Sequence, residues 1–134
     1  MKFIYARHAD QIKREAFFAT NKHLNNDQFL KDGYLVEKDA QIIGCFMIER
    51  VTVDTYWLKQ LYITQSAAEL LPSLLEMVLM FAKQRQVKKI YVFSHQPTVD
   101  IILEALQFQE EHSHPIVVNS HNYSSGKWWT YNVS

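Results

Sequence analysis

The chain has 134 residues, with 14 basic and 14 acidic side chains and therefore no net charge. This length suits one hydrophobic core, so we expect residues 1–134 to form a single domain. The balanced charge argues against a general nucleic-acid binder, and the three glycines lie too far apart to form a glycine-rich phosphate loop.

Two further absences bear on the location of the protein. Cys45 is the only cysteine, so the chain cannot form an internal disulfide. No apolar run approaches the roughly 20 residues that a membrane span needs, and the N-terminal apolar run is too short for a signal peptide. We therefore expect a cytoplasmic protein that binds neither nucleic acid nor membrane.

The first third of the chain predicts a strand, a helix and a short helical turn. Residues 3–7 are typical of a short strand. Asp10 is placed to cap a helix that runs to about His23. The expected buried stripe of this helix has helical spacing and consists of Ile12, Ala16 and Ala19. Residues 25–27 offer a second cap, for a turn that ends at Gly33.

The middle of the chain predicts three consecutive strands and a helix. Two β-prone runs, residues 33–38 and 42–50, flank a polar turn and indicate a hairpin, and residues 55–63 follow as a further strand. An amphipathic helix comes next. Its apolar stripe consists of Leu71, Leu74, Leu75, Val78, Leu79 and Ala82.

The last third predicts a buried strand, a helix and two late strands. Residues 90–93 are apolar throughout, which is typical of a central strand. Pro97 is placed as the first residue of a helix. Its expected stripe is Val99, Ile102, Leu103 and Leu106. Residues 115–119 and 128–133 favour strands.

This order predicts an α/β (α+β) fold with a mixed sheet. An antiparallel meander is followed by a right-handed β-α-β crossover, with helices on both faces. The pattern resembles the GNAT N-acetyltransferase superfamily. The likeness is carried by residues 42–49, by residues 61–63 with 74–76 and 81–83, and by residues 87–92 with 102–108.

The resemblance implies that acetyl-CoA or another acyl-CoA binds between the fourth and fifth strands. Its pantetheine would pair with the backbone of Leu61, Tyr62 and Ile63. Its pyrophosphate would lie on a glycine-rich loop at the start of the next helix. In this chain that region holds Ser66, Ala67, Ala68 and Glu69, so the glycine-rich motif is absent.

The residues that replace the loop allow two interpretations. Ser66 and Glu69 have the spacing of a capping box, which would occupy backbone N–H groups and add a carboxylate beside the incoming phosphates. Alternatively the helix begins at Pro72, which would hold Leu71 in an extended conformation. Both interpretations give a poor pyrophosphate site.

The candidate catalytic residues lie at the ends of two strands. Glu49 could deprotonate an amine, and His95 could act as an acid or a base. The family's tyrosine general acid corresponds here to Leu103, and its usual glycine before the last phenylalanine corresponds to Gln107.

Two other groups of residues could form a metal site or a binding surface. Glu110, His112, His114 and His121 could together bind zinc, but their spacing matches no known site, so we predict no metal. Trp128 and Trp129 point to opposite faces of a late strand. One of them, with Tyr56 and Trp57, could form an aromatic ligand or dimer surface. Cys45 is expected to be an inert buried thiol.

Two functional hypotheses follow. The first is an acyl-CoA-dependent N-acetyltransferase with a degenerate pyrophosphate loop and weak or altered activity, acting on a small amine or a protein. The second is an inactive GNAT-like binding or regulatory module whose cleft is empty or holds an uncharged ligand. It overlaps with a further interpretation, a homodimeric structural protein that uses the aromatic C-terminal strand.

Overall fold

The computed structural model describes residues 1–24, 27–112 and 126–133. The strands in these residues are β1 (Lys2–Tyr5), β2 (Gly33–Lys38), β3 (Gln41–Thr52), β4 (Thr55–Ile63), β5 (Lys89–Ser94), β6 (Gln109–Glu111) and β7 (Lys127–Asn132). The α-helices are α1 (Gln11–Thr20), α2 (Asp27–Asp32), α3 (Leu71–Gln84) and α4 (Pro97–Ala105). The described strands form a mixed sheet in the order β1-β2-β3-β4-β5-β7-β6, which confirms the predicted fold class.

The chain divides into two compact units. The first contains Met1–Ile48 and Lys59–Leu71, and the second contains Glu49–Leu58 and Pro72–Ser134. The expectation of a single domain stays a prediction. Among the described residues, no helix is long and apolar enough to cross a membrane.

The first unit is built on the antiparallel strands β1, β2 and β3. Two residues, Asp39 and Ala40, connect β2 to β3, and both have positive φ angles, of 51° and 66°. This left-handed backbone matches the twist of the hairpin. Buried side chains from the strands, α1 and α2 form one core cluster, whose largest members are Phe17, Phe18, Phe29, Leu35 and Met47.

Helix α1 begins as predicted but buries a different face. The Asp10 carboxylate accepts a hydrogen bond from the backbone N–H of Lys13 at 3.1 Å, so Asp10 is the N-cap. The predicted stripe is wrong, because Ile12 is 78% exposed and both alanines are exposed. Phe17 and Phe18 enter the core instead, since two phenylalanines remove far more apolar area from water than one isoleucine and two alanines.

The second unit contains the β-α-β crossover. Thr55–Leu58 of β4 pair in parallel with Lys89–Val92 of β5, and α3 lies between these strands in sequence. Helix α3 buries the expected stripe through Leu74, Leu75, Val78 and Ala82. Pro97 begins α4 as predicted, and Leu103 is its fully buried residue.

The end of the chain corrects one prediction and leaves another untested. The sequence signals missed β6, which consists of Gln109, Glu110 and Glu111 and pairs with β7. The strand predicted over residues 115–119 lies outside the described residues. Strand β7 pairs with β5 on one side and β6 on the other, and both of its tryptophans are buried.

Candidate functional site

The residues expected to contact pantetheine lie on β4 after its pairing with β5. The pairing covers Thr55–Leu58, and β4 continues to Ile63 in the first unit. Gln60 has a φ of 54°, a left-handed conformation within a strand. Its carbonyl accepts a hydrogen bond from the Cys45 thiol at 3.7 Å. Cys45 is buried as predicted, and this burial raises the pKa of its thiol to about 12.

Gly44 on β3 lies directly against this part of β4. A Cβ atom at position 44 would lie 2.5 Å from the Tyr62 carbonyl oxygen and 3.3 Å from the Ile63 Cα. The next hydrogen bond along β3 runs from the Thr64 N–H to the Ile43 carbonyl at 2.8 Å. Strand β3 therefore holds the backbone of Leu61–Ile63 closely, because no side chain separates the two strands at Gly44.

Tyr62 itself packs within the first unit. Its ring lies 6.2 Å from the Phe17 ring and 6.1 Å from the His23 ring, both in edge-to-face arrangements. Leu61 and Ile63 are half-buried. The ring contacts fix the Tyr62 side chain within the first unit.

The segment after β4 is a 3₁₀ helix over Gln65–Leu70 that leads directly into α3. The predicted capping box is wrong, because the N-cap is Thr64 and it makes no side-chain capping bond. The Ser66 hydroxyl lies 3.4 Å from the Thr64 hydroxyl instead. The alternative, a main helix that begins at Pro72, is correct to within one residue, although Leu71 is helical (φ −56°, ψ −43°) rather than extended.

This segment does not fit a pyrophosphate in the way that a glycine-rich loop does. Its backbone N–H groups are used within the helical turns, as in the bonds from Ala67 to Thr64 and from Leu71 to Ala68. Ala67 is buried, and Ala68 and Glu69 are exposed. Gln65 and Ser66 begin the segment, where N–H groups have no acceptor within a helix. Any phosphate contact is therefore restricted to Thr64, Gln65 and Ser66.

The two catalytic candidates lie in the second unit. Glu49 is a half-buried residue of β3. His95 is exposed and follows β5 in a tight turn. The Ser94 hydroxyl forms this turn, since it donates to the Gln96 carbonyl at 3.2 Å and accepts from the Gln96 N–H at 3.4 Å. The seven cofactor candidates lie together in the first unit.

The other candidates are the aromatic residues and the possible zinc ligands. The aromatic surface is wrong, because Tyr56, Trp57, Trp128 and Trp129 are all buried. The Trp57 and Trp128 rings lie 5.8 Å apart within one cluster. Glu110 lies 3.4 Å from His112, but no group of three metal-ligating side chains occurs in the described part of the chain. His114 and His121 lie outside it.

Sequence reasoning missed two features of this region. The left-handed Gln60 carries no sequence signal, because glutamine has no preference for positive φ. Thr64 could have been found, since threonine is a common N-cap at the junction between a strand and a helix.

No known protein-family model matches the sequence, and no curated protein matches it. Solved structures do match. The N-acetyltransferase PseH from Campylobacter jejuni has a TM-score of 0.75 and 16% identity, over 99% of this chain and 98% of its own. A GNAT-family acetyltransferase from Staphylococcus aureus has a TM-score of 0.69 and 14% identity, over 99% of both chains. One from Elizabethkingia anophelis, with acetyl-CoA bound, has a TM-score of 0.60 and 21% identity, over 79% of this chain and 80% of its own.

The chain therefore has the fold of the GNAT acetyltransferases. At these identities the likeness establishes the fold, and the activity has to be argued from the residues.

Proposed function

We propose that the chain is an acyl-CoA-dependent N-acetyltransferase of the GNAT family that binds its cofactor without a glycine-rich pyrophosphate loop. The observation that carries this proposal is the structural match to acetyltransferases, which covers 99% of the chain for PseH and for the Staphylococcus aureus GNAT protein and 79% for the GNAT protein that holds acetyl-CoA. The acyl-CoA would supply the activated acyl group, and a small amine or a protein would accept it.

The strand backbone supports a pantetheine site. Strand β4 runs five residues past its pairing with β5, through Lys59–Ile63. Pairing with an extended ligand uses backbone N–H and carbonyl groups, so it does not depend on which side chains the strand carries. The packing of Gly44 against Tyr62 and the hydrogen bond from Cys45 to Gln60 hold this strand in place. Leu61, Tyr62 and Ile63 are the residues proposed to hold pantetheine.

The phosphates would lie at the start of the 3₁₀ helix. Thr64, Gln65 and Ser66 provide two hydroxyls and the first two N–H groups there. Ala67, Ala68 and Glu69 complete the region, and Glu69 opposes the anion. Two like charges about 5 Å apart repel by about 0.8 kcal/mol in water. We therefore expect weak binding in which pantetheine dominates.

Glu49 and His95 are the proposed proton-transfer groups. Glu49 would take a proton from the substrate ammonium directly or through water. His95 is exposed and held by the turn at Ser94, so it would give or take a proton at the imidazole.

The test is calorimetry with acetyl-CoA and with acetyl-pantetheine, which lacks the pyrophosphate and nucleotide. We expect both to bind, with acetyl-CoA at most about tenfold tighter. Glu69→Gln should tighten acetyl-CoA by up to about fourfold, which is 0.8 kcal/mol, and leave acetyl-pantetheine unchanged. Glu76→Gln, at an exposed position on α3, is the matched control.

Loss of the loop favours a second candidate, an inactive binding or regulatory module. If neither ligand binds at millimolar concentration, the acetyltransferase proposal fails and the module is supported. If acetyl-CoA binds but Glu49→Gln and His95→Ala leave the release of coenzyme A with an amine substrate unchanged, those two residues have no catalytic role.

A further inference from the structure

Ser94 is a polar residue on the buried face of β5. The side chains of this strand alternate, and Ile90, Val92 and Ser94 are its buried residues. Ser94 is 4% exposed, and Asn21 is the other buried polar residue in the described part of the chain. A buried hydroxyl costs free energy unless it is hydrogen-bonded, so the partners of Ser94 indicate what this residue does.

Both partners of the Ser94 hydroxyl belong to the backbone of Gln96. The hydroxyl donates to the Gln96 carbonyl at 3.2 Å and accepts a longer bond from the Gln96 N–H at 3.4 Å. The same carbonyl accepts from the Asp100 N–H at 3.1 Å, which is the first hydrogen bond of α4. Gln96 is the N-cap of α4, and its side chain makes no capping bond. The Ser94 hydroxyl therefore links the end of β5 to the start of α4.

Ser94 is itself fixed within the sheet. It pairs with Lys127 of β7. A Cβ atom at position 126 would lie 2.5 Å from the Ser94 carbonyl oxygen, so the backbone at Gly126 packs directly against it. His95 lies between Ser94, which the sheet holds, and Gln96, which the Ser94 hydroxyl and α4 hold. The peptide groups on both sides of His95 are therefore fixed, while its side chain is exposed.

We propose that Ser94 is a positioning residue for His95. This inference rests on the proposed function, in which His95 transfers a proton during acetyl transfer. An acid or base is efficient only when it is held within reach of the proton that it transfers. The Ser94 hydroxyl restricts the backbone from which the imidazole projects, and the imidazole itself stays free to meet the substrate.

The first test uses the full-length protein without acyl-CoA. Backbone ¹⁵N relaxation gives the order parameter of the His95 amide. We expect about 0.85 in the wild type and a fall towards about 0.6 in Ser94→Ala, the difference between rigid and flexible backbone. Thr98→Ala removes an exposed hydroxyl from the first turn of α4 and is the matched control, which should leave the order parameter unchanged. The same order parameter in the wild type and in Ser94→Ala overturns the proposal.

The second test is a double-mutant cycle that measures the release of coenzyme A from acetyl-CoA with propylamine as the acceptor. Ser94→Ala should lower kcat about three- to tenfold, the usual range for one hydrogen bond, and leave the KM for acetyl-CoA unchanged. In a His95→Ala protein the same substitution should have no further effect, because Ser94 acts through His95.

The outcomes separate a positioning role from a structural one. If Ser94 only anchors α4, Ser94→Ala lowers kcat equally with and without His95, and this result overturns the proposal. Equal turnover by the wild type and His95→Ala overturns it as well. In both cases the acetyltransferase proposal stands as long as calorimetry shows that acetyl-CoA binds. Absence of acetyl-CoA binding at millimolar concentration overturns both proposals together.

Discussion

The end of α4 makes a stability prediction at Gln107. After the helix the Phe108 N–H bonds to the Leu103 carbonyl and the Gln107 N–H bonds to the Glu104 carbonyl, both at 3.0 Å. This pair of bonds defines a Schellman cap, in which the residue after the helix is left-handed. Gln107 occupies that position with a φ of 78°. We predict that Gln107→Gly stabilises the protein.

The magnitude follows from two opposing effects. A left-handed conformation costs an L-residue about 1–2 kcal/mol, because Cβ crowds the backbone, and glycine avoids this cost. Glycine in turn loses about 0.5–1 kcal/mol more backbone entropy on folding. The net gain is therefore about 0.5–1 kcal/mol. With about 2.1 cal/mol/K of unfolding entropy per residue, a chain of 134 residues should melt about 2–4 °C higher.

The assay is urea unfolding and thermal melting of three variants. Gln107→Ala keeps Cβ and should show no gain, so it separates the backbone effect from loss of the side chain. Gln84→Gly, at the last residue of α3, places glycine where φ is not positive and should destabilise by about 0.5–1 kcal/mol. A Gln107→Gly protein no more stable than the wild type would refute the reasoning, as would equal gains from Gln107→Gly and Gln107→Ala.

Two further predictions concern β3. Gly44→Ala should lower the free energy of unfolding by about 1–3 kcal/mol and weaken acetyl-pantetheine binding, because its Cβ would meet the Tyr62 carbonyl oxygen at 2.5 Å. Urea unfolding measures the first effect and calorimetry measures the second. Unchanged stability would contradict the close packing. The Cys45 pKa of about 12 lies above its ordinary value of 9.0, so unfolding releases a proton and stability falls above pH 9. Between pH 8 and 10 the wild type should lose about 1.4 kcal/mol more than Cys45→Ala, and parallel pH profiles would refute the burial argument.

The strands that were predicted correctly are those in which the β-prone residue types and the neighbouring turn residues indicate the same strand limits. Strand β4 spans Thr55–Ile63 as predicted, and the hairpin between β2 and β3 turns at Asp39 and Ala40. Strand β6 could not be predicted, because Gln109–Glu111 has no apolar residue and no β preference. It is a strand because it pairs with β7, and the composition of a short segment does not show which other segment it pairs with.

The errors at the candidate site have the same origin. Ser66 and Glu69 have capping-box spacing, but a side-chain cap needs its residue to be extended, and the helical backbone already begins at Gln65. Spacing identified the residues that replace the loop, and it did not reveal where the helix starts. The burial of Trp128 and Trp129 was likewise hidden, since it depends on partners far away in sequence, Trp57 beside Trp128 and Asp100 beside Trp129.

The scarcity of glycine now has a physical interpretation. None of the positive φ angles in the described residues belongs to a glycine, and Asp39, Ala40, Gln60, Gln86 and Gln107 hold these positions instead. Gly44 and Gly126 lie where a Cβ would strike Tyr62 or Phe93, so the chain retains glycine for close packing within the protein. A pyrophosphate loop needs glycine for the opposite purpose, to bring the backbone close to a ligand. Under the proposed acetyltransferase function, a chain with this glycine usage would bind an acyl-CoA chiefly through the backbone of β4, and this is why acetyl-pantetheine is the decisive ligand.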